Sequence, residues 1–491
     1  MADLRKEKEA FVSGLSGTSL SELYLILIAG GLGVAIRHCL LLYYKRLRIY
    51  HQENIIFAFF YEFLTVMLPG LLSFTILSEY FITLLIPILV LVIIIPLIPK
   101  AGSIEKVHSL LKSLPFPKRP PFLTVLRTWV NIYTSICILA VDFHVFPRRL
   151  AKAESYGTGL MDIGVGMFII NHGMVVKETH LDDVSIGRYL KSLSHYIVSS
   201  RVWVFILLGL LRLLSVKSTD YQQHVSEYGV HWNFFFTIAA VKIFSAALQP
   251  LVQCIPSKYK YGITSLLIGV VYQFLLSCGV RDYILYGPGG TYSRKSIIAA
   301  NREGLFSCAG YLSIYYAGME LGRLIFMDEN NRRREKSSDY YIIGLLLLIA
   351  SVLSILSTVA STGWIEPVSR RMANITFILW IISIGANYLF MAYLIDLLVF
   401  YIMSITLPVH SVSPLYDFIY SSPTTHYCLI SSIDYNQFLF FIIANISTGL
   451  VNVSINTMDT GWLVSFLLIS LHIMLISLIV IVMKKLSLKL M

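Results

Sequence analysis

Apolar stretches long enough to cross a bilayer recur along this chain, and they leave few architectures open to it. A hydrocarbon core about 30 Å thick requires about 20 apolar residues of α-helix, and a helix satisfies its backbone hydrogen bonds internally. The 491 residues are 56% hydrophobic and only 14% charged, whereas about a quarter of the residues in an average soluble domain are charged. We therefore predict an all-α, polytopic integral membrane protein.

Polar, proline and glycine residues divide these stretches into thirteen candidate transmembrane helices, within a single multispan membrane domain that covers residues 1–491. The candidate spans lie near residues 22–43, 54–76, 79–99, 123–143, 158–176, 197–216, 231–253, 261–280, 304–326, 340–360, 374–402, 436–454 and 461–483. Segment 374–402 is long enough for either a tilted or a broken helix, so twelve to fourteen spans are acceptable. No cleavable signal peptide is expected, because no apolar run follows a positively charged start.

Lysine and arginine are unequally distributed between alternate loops, with 20 on one side of the predicted membrane and 13 on the side of the N-terminus. Short loops rich in these residues stay in the cytosol. We therefore predict a non-cytosolic N-terminus, which is lumenal in an intracellular membrane, and a cytosolic C-terminus. The formal net charge of +11 fits basic loops that face anionic lipid headgroups, and no nucleic-acid-binding motif competes with that explanation.

Polar residues are unusually dense in four loops, which span residues 141–155, 218–236, 299–307 and 367–380. By the span count, all four loops lie on the less basic side of the membrane. Loops that form one active site must lie on the same side of the membrane, as these four are predicted to do.

The first of these loops contains Asp142, Arg148, Arg149 and Lys152. A carboxylate at membrane depth is costly unless it is paired or functional. One interpretation is an ion pair that only braces the helix end. The other makes Asp142 a general base, steered by Lys152, that removes a proton from a substrate hydroxyl, while the two arginines hold phosphate. His144 could share the proton transfer, but a lone histidine is more often a hydrogen-bonded loop residue.

The second loop contains His224, Glu227 and His231, at spacings of three and four residues. On a helix these side chains would form one stripe, which could orient an imidazole or bind a metal. We predict no metal, because the two histidines of the HExxH motif are four residues apart and these are seven apart. The six cysteines lack CxxC spacing, so neither a zinc site nor a disulfide framework is expected.

The remaining substrate-binding candidates each have an ordinary structural explanation as well. They are Trp232, Asn233, Asn301, Arg302, Arg370 and Arg371. The string "HWNFFF" also fits an interfacial aromatic belt, and "NREG" also fits an ordinary helix start. The arginine pair also fits interfacial anchors, and "NISTGLVN" fits small residues at a helix contact. Glycosylation is not expected at the sequons of Asn374, Asn445 and Asn452, which lie within or against apolar spans.

Together, these strings resemble the GPI-anchor inositol acyltransferase family of the endoplasmic reticulum. The strings that match in order and spacing are "KEAFVSGLSGTS", "LAVDF", "FPRR", "AK", "YGTGLMDIGVG", "YQQHVSEYGVHWNFF", "ANREG", "VSRRMAN" and "NISTGLVN". They extend from about residue 9 to beyond residue 452. There are departures, since His144 stands where proline is expected, "RLAK" replaces "RFAK", and Gln223 stands where an acid is common.

The resemblance implies transfer of a long-chain acyl group, typically palmitoyl, from acyl-CoA to an inositol hydroxyl of glucosaminyl-phosphatidylinositol. It implies Asp142 and Lys152 as the catalytic pair, acyl-CoA as a co-substrate with no separate cofactor, and a multi-pass protein of the endoplasmic reticulum membrane. In this hypothesis Lys152 either steers Asp142 or stabilises the developing oxyanion. His224, Glu227 and His231 would line the sugar or thioester pocket.

Three other functions remain open on the sequence. A transporter of lipid or anionic solute also needs many spans and intramembrane charges, but no internal repeat or paired broken helices are visible. A scaffold subunit of a lipid-modifying complex would not need the Asp142/Lys152 pair. An O-acyltransferase with another lipid acceptor is the nearest alternative within the enzyme class.

Overall fold

The computed structural model describes residue 7 and residues 10–46, 55–80, 120–176, 197–198, 201–218, 225–327, 334, 339–406 and 428–489. Across these residues the regular structure is helical, and an isolated bridge pairs Gly17 with Thr158. Eight of the described helices are long and apolar enough to cross a membrane. The prediction of an all-α polytopic membrane protein is therefore confirmed.

Seventeen α-helices are described. In chain order they are α1 Leu20–Arg46, α2 Ile55–Glu62, α3 Leu68–Ser73, α4 Pro121–Ala140, α5 Ile163–Val175, α6 Val202–Ser218, α7 Val225–Tyr228, α8 Phe234–Gln253, α9 Lys260–Leu275, α10 Arg281–Tyr286, α11 Ile297–Ala300, α12 Arg302–Phe326, α13 Asp339–Trp364, α14 Ile375–Thr406, α15 Leu429–Tyr435, α16 Gln437–Ser454 and α17 Trp462–Lys485. Wide π-helical turns at Phe63–Met67 and Leu276–Val280 join α2 to α3 and α9 to α10.

Twelve of the thirteen predicted spans overlap these helices. The other, 79–99, lies outside the described residues except for its first two positions. Segment 374–402 coincides with α14, which is one continuous helix. The count of thirteen spans and the orientation of the chain stay predictions.

Contacts divide the chain into two compact units. Unit 1 comprises Met1–Thr18, Ala151–Arg333 and Ala350–Gly385, and unit 2 comprises Ser19–Leu150, Arg334–Ile349 and Ala386–Met491. Helices α13 and α14 therefore each contribute residues to both units. The interpretation of residues 1–491 as one multispan domain stays a prediction.

In unit 1, α12 packs closely against α5 because glycines face the neighbouring backbone. A Cβ added at Gly318 would lie 2.4 Å from the carbonyl oxygen of Ile170, and one added at Gly322 would lie 2.3 Å from that of Met174. Small residues spaced four apart allow membrane helices to approach in this way. This contact fixes α5, which begins directly after Asp162, and α12, which begins at Arg302.

In unit 2, α16 and α17 pack against α4 and against each other. On another side of α4, the ring of Trp129 occupies the space beside Gly30 of α1, where an added Cβ would lie 0.6 Å from a ring carbon. Helix α4 is therefore held by neighbours along its length, and it ends two residues before Asp142.

Candidate active site

Lys152 lies in the loop that precedes α5 and forms an ion pair within unit 1. Its ammonium Nζ donates hydrogen bonds to both carboxylate oxygens of Glu227, at 2.8 and 2.9 Å. The lysine side chain is 38% exposed, whereas that of Glu227 is 15% exposed. The ammonium is therefore held in place by a largely buried carboxylate while part of the side chain stays accessible.

Glu227 and Arg370 extend this ion pair into a chain of four charges. Arg370 Nη1 lies 3.5 Å from Glu227 Oε1, and Arg370 Nε donates to Asp162 Oδ1 at 2.7 Å. Arg370 and Asp162 are almost completely buried. With Lys152, the chain has two positive and two negative charges, so each buried charge has an opposite partner, as burial requires.

Asp162 also fixes the backbone around Lys152. Its second oxygen, Oδ2, accepts hydrogen bonds from the backbone N–H groups of Ala153 and Gly159, both at 2.9 Å. Asp162 was not among the residues predicted from the sequence to belong to the site. A signal was present, because Asp162 lies within the predicted span 158–176 and an acid there is costly unless it is paired or functional.

Opposite charges keep Glu227 and Arg370 ionised. Burial by itself would raise the pKa of Glu227, but the charges of Lys152 and Arg370 and the hydrogen bonds from Lys152 outweigh burial and lower that pKa to about 2. Burial likewise acts to lower the pKa of Arg370, but the carboxylates of Glu227 and Asp162 outweigh it and raise that pKa above its usual value. Glu227 is therefore a counter-ion rather than a base at neutral pH.

The Glu227 carboxylate should make stability depend on acidic pH. Its pKa is about 2 in the folded protein and near 4.5 as an ordinary side chain, so its contribution is present above about pH 4.5 and is lost as the pH falls towards 2. We expect Glu227→Gln to lower the unfolding temperature in detergent by a constant amount from pH 8 to pH 5. The difference from wild type should shrink below pH 4.5, and a difference that is unchanged at pH 3 would contradict this assignment.

Residues 10–18, here called the N-terminal strap, lie against the Lys152 loop within unit 1. Gly14 N–H donates to Glu154 Oε2 at 2.7 Å, and Glu154 N–H donates to the carbonyl of Leu15 at 2.9 Å. Further along, Thr18 N–H donates to the carbonyl of Thr158 at 2.7 Å, and the Thr158 hydroxyl donates back to the Thr18 carbonyl at 2.5 Å. The strap is therefore hydrogen-bonded to this loop at two points, Glu154 and Thr158, both of which follow Lys152 in the chain.

Gly17 gives a test of the strap. Its φ is +81°, and an added Cβ would lie 2.4 Å from the carbonyl oxygen of Thr158. We expect Gly17→Ala to destabilise the protein by about 2 kcal/mol and to lower activity, because the strap must move away from the loop. Gly14→Ala is the matched control, since Gly14 has a similar φ of +70° with open space around it. If both variants lost stability and activity equally, the cause would be the positive φ alone and not the contact between the strap and the loop.

A tight turn between α13 and α14 presents Arg370. Asn374 Oδ1 accepts from Ser369 N–H at 3.1 Å, and its amide donates to the carbonyl of Pro367 at 2.9 Å. Ser369 Oγ donates to the carbonyl of Ser155 at 2.5 Å, which attaches the turn to the Lys152 loop. The buried Asn374 amide is thus used inside the protein. The absence of glycosylation at its sequon stays a prediction.

A second cluster of charges surrounds Glu303, which is fully buried at the start of α12. Arg294 Nη2 lies 2.6 Å from Glu303 Oε1, Arg371 Nη2 lies 2.9 Å from it, and Arg302 Nε lies 3.6 Å from it. Arg302 also donates from Nε to the carbonyl of Ile284 at 2.8 Å. Three guanidinium groups therefore share one carboxylate. Of these, the sequence analysis missed Arg294, which is 9 residues from Glu303 in the chain.

The prediction that Glu227 and His231 share one helical face is wrong. Helix α7 ends at Tyr228, and Gly229 takes a φ of +114°. An added Cβ at Gly229 would lie 2.6 Å from the carbonyl oxygen of Ala300, so the chain turns closely past that residue. His231 N–H then donates to Asn301 Oδ1 at 2.7 Å. His224 lies outside the described residues.

Trp232 and Asn233 make local contacts at the start of α8. Asn233 Oδ1 accepts from the backbone N–H groups of Phe235 and Phe236, and its amide donates to the carbonyl of Gly209 at 2.9 Å. Trp232 Nε1 donates to Thr237 Oγ1 at 3.0 Å. These contacts give both residues structural roles. Substrate binding by them stays a prediction.

Asp142 lies in unit 2, in the turn that follows α4. Helix α4 ends at Ala140, so Asp142 lies just beyond the helix and not in its last turn. The residue is 5% exposed, and its Oδ2 accepts a hydrogen bond from the Asn452 amide at 2.7 Å. The sequence analysis missed Asn452 as a partner of Asp142.

Arg148 stabilises the turn that carries Asp142. Its guanidinium donates to the carbonyls of Val141, Phe143 and Phe146 at 2.9, 3.0 and 2.8 Å. Burial lowers the pKa of Arg148 to about 10, against the opposing effect of the Asp142 carboxylate. These bonds hold carbonyls of the turn itself, from Val141 to Phe146, on one guanidinium group. Phosphate binding by Arg148 stays a prediction.

Arg149 contacts two carboxylates within unit 2. Its Nε donates to Glu22 at 2.9 Å, and its Nη1 donates to Glu79 at 2.5 Å. The guanidinium is about one-third exposed, so these ion pairs are expected to contribute little to stability. Phosphate binding by Arg149 also stays a prediction.

Among the described residues, no group of three or more histidine, cysteine, aspartate or glutamate side chains could hold a metal ion. His224 is not among those residues. The prediction that the protein needs no metal therefore stays a prediction.

The fold and this site define a class of protein, an all-α polytopic membrane protein with largely buried carboxylates, Glu227 and Glu303, that are paired with basic side chains. The chain belongs to the GWT1 family, since a sequence model of that family matches residues 4–483.

Curated relatives match over nearly their whole length. GPI-anchored wall transfer protein 1 of Aspergillus fumigatus is 34% identical, over 94% of this chain and 93% of the relative. Glucosaminyl-phosphatidylinositol-acyltransferase PIGW of Homo sapiens is 32% identical, over 95% of each chain. GPI-anchored wall transfer protein 1 of Yarrowia lipolytica is 33% identical, over 94% of each chain. The family resemblance inferred from the sequence motifs is thus confirmed.

Proposed function

We propose that this protein transfers a long-chain, palmitoyl-type acyl group from acyl-CoA to an inositol hydroxyl of glucosaminyl-phosphatidylinositol, in GPI-anchor biosynthesis at the endoplasmic reticulum membrane. Its class, acyltransferase, follows from its family, in which curated relatives carry that name. The observation in the structure that best supports the proposal is the Lys152 ammonium, which an ionised, largely buried Glu227 holds in place while the lysine side chain stays partly exposed.

Acyl transfer needs a base for the hydroxyl and a positive charge for the oxyanion. Asp142 accepts the proton of the inositol hydroxyl as the oxygen attacks the thioester carbonyl. A tetrahedral intermediate forms, and its oxyanion is stabilised by the charge of Lys152. The carbon–sulfur bond then breaks, and the departing thiolate of coenzyme A takes the proton from Asp142. The products are the inositol ester and free coenzyme A, and no acyl-enzyme intermediate is formed.

Lys152 is better suited to stabilise the oxyanion than to act as the general base. A lysine ammonium has N–H donors and no acceptor, and that of Lys152 donates two hydrogen bonds to the Glu227 carboxylate. Arg370, which is buried and anchored to Asp162, limits the movement of Glu227 in turn. The ion pair therefore keeps a fixed positive charge at the loop without rearrangement during the reaction, which is the arrangement that makes electrostatic stabilisation effective.

The other proposed roles are binding roles. Phosphate groups of the substrates are held by arginine, and the candidates are Arg148, Arg149, Arg302, Arg370 and Arg371. The excess of positive charge around Glu303 supports this role for Arg302 and Arg371, since a net positive cluster attracts anions. The sugar or thioester pocket is lined by His224, Glu227, His231, Trp232, Asn233 and Asn301.

The test is to incubate the purified full chain with labelled palmitoyl-CoA and glucosaminyl-phosphatidylinositol. We expect label in the lipid product, with release of one coenzyme A for each acyl group transferred. Movement of lipid or anionic solute across vesicles without ester formation would instead indicate the transporter. Acylation of phosphatidylinositol or another lipid, with none of the glucosaminyl substrate, would indicate an O-acyltransferase with a different acceptor.

A further inference from the structure

Asn452 makes two hydrogen bonds within unit 2, near the end of α16. Its amide Nδ2 donates to Asp142 Oδ2 at 2.7 Å and to the carbonyl of Thr448, one turn back on its own helix, at 3.1 Å. The amide is thereby anchored to the helix while it contacts the carboxylate. Asp142 itself is almost fully buried.

The position of Asn452 is set by helix packing. Helix α16 packs against α4 and α17, so the asparagine is carried by a helix that is held by two others. Asp142, in contrast, lies in a turn after the end of α4. A hydrogen bond from a helix to a turn residue reduces the orientations open to that residue. Because the amide is neutral, it does so without adding a charge beside the carboxylate.

We propose that Asn452 is a positioning residue for Asp142, one that holds the carboxylate in the orientation needed for proton transfer. The inference rests on the proposed function, because orientation affects turnover only if Asp142 is the base. A displacement of about 1 Å at a reacting group is able to lower the rate about a hundredfold. The role is therefore expected to appear in kcat rather than in substrate affinity.

The helix offers a matched control in Asn445. Its amide donates to the carbonyl of Phe441, also one turn back on α16, at 2.8 Å. Asn445 and Asn452 are both half-buried, and each begins an Asn-X-Ser sequon. Substitution of Asn445 thus removes the same side chain and the same local hydrogen bond, without loss of the bond to Asp142.

The experiment compares kcat and KM for Asn452→Ala and Asn445→Ala in the purified full chain, with thermal unfolding as a check on folding. We expect Asn452→Ala to lower kcat by about 10- to 100-fold, with KM for both substrates unchanged and unfolding similar to that of the control. Asn452→Asp should lower kcat further, because a second carboxylate then faces Asp142. In the double variant Asp142→Asn/Asn452→Ala, the loss should equal that of Asp142→Asn alone, since only one function is removed.

Two results would overturn the inference. A kcat for Asn452→Ala equal to that of Asn445→Ala would remove the positioning role, and a change in KM alone would make Asn452 a binding residue. An active Asp142→Asn variant would contradict the proposed function instead, because it would show that Asp142 is not the general base. Inactive Asp142→Asn together with fully active Asn452→Ala would overturn only the positioning role.

Discussion

Lys152→Ala is expected to abolish acyl transfer, with a loss of about 100- to 1,000-fold or more in kcat. Removal of a single oxyanion-stabilising group has an effect of this size in other acyl-transfer enzymes. In this protein the substitution removes the ammonium that Glu227 holds with two hydrogen bonds. The measurement is the formation of acylated glucosaminyl-phosphatidylinositol at saturating substrate concentrations.

The control for Lys152→Ala must address folding, because the variant removes both hydrogen bonds from Lys152 to the largely buried Glu227 carboxylate and leaves Arg370 at 3.5 Å from it. Lys152→Gln keeps an N–H donor for the carboxylate and removes the positive charge, on a side chain one bond shorter. We expect this variant to unfold at a temperature close to that of wild type and to be as inactive as Lys152→Ala. Near-normal activity in the glutamine variant would contradict the requirement for a positive charge.

Asp142→Asn is expected to lower kcat by about 100- to 10,000-fold, the range typical for loss of a general base. The new amide has nearly the same shape, and its oxygen is still able to accept a hydrogen bond from Asn452. It is not able to take a proton from the inositol hydroxyl. KM should therefore change little, and the loss should appear in single-turnover measurements of the chemical step.

Asp434→Asn is a suitable comparison for Asp142→Asn. Asp434 is also a mostly buried carboxylate of unit 2, and its Oδ1 lies 3.1 Å from Arg127 Nη1. We expect Asp434→Asn to reduce stability without a large change in kcat. If both asparagine variants lost activity equally, the effect would be one of folding rather than of proton transfer.

The helical class of the fold was predictable because apolar length is a local property of the sequence. Twelve predicted spans overlap described helices for this reason. The partners of the functional residues were not predictable, because they come from distant parts of the chain. Glu227 is 75 residues from Lys152, Arg370 is 208 residues from Asp162, and Asn452 is 310 residues from Asp142. Only the packed helices bring the members of each pair together.

The error at His231 has a local cause. Spacings of three and four residues place side chains on one face only if the helix continues, and here it ends at Tyr228. Gly229 then takes a positive φ, a conformation that most residues avoid. The glycine in "EYGVH" was the available signal for this turn. A glycine between two candidate residues should therefore have counted against the shared stripe.

The N-terminal strap has a practical consequence for handling the protein. Residues 10–18 belong to the same compact unit as Lys152, and their backbone is hydrogen-bonded to Glu154 and Thr158. A deletion that removes these residues, or a rigid fusion partner joined directly before them, would disturb the loop from outside the membrane helices. Affinity tags at this end therefore call for a flexible spacer, and an inactive N-terminal fusion is not by itself evidence of an inactive enzyme.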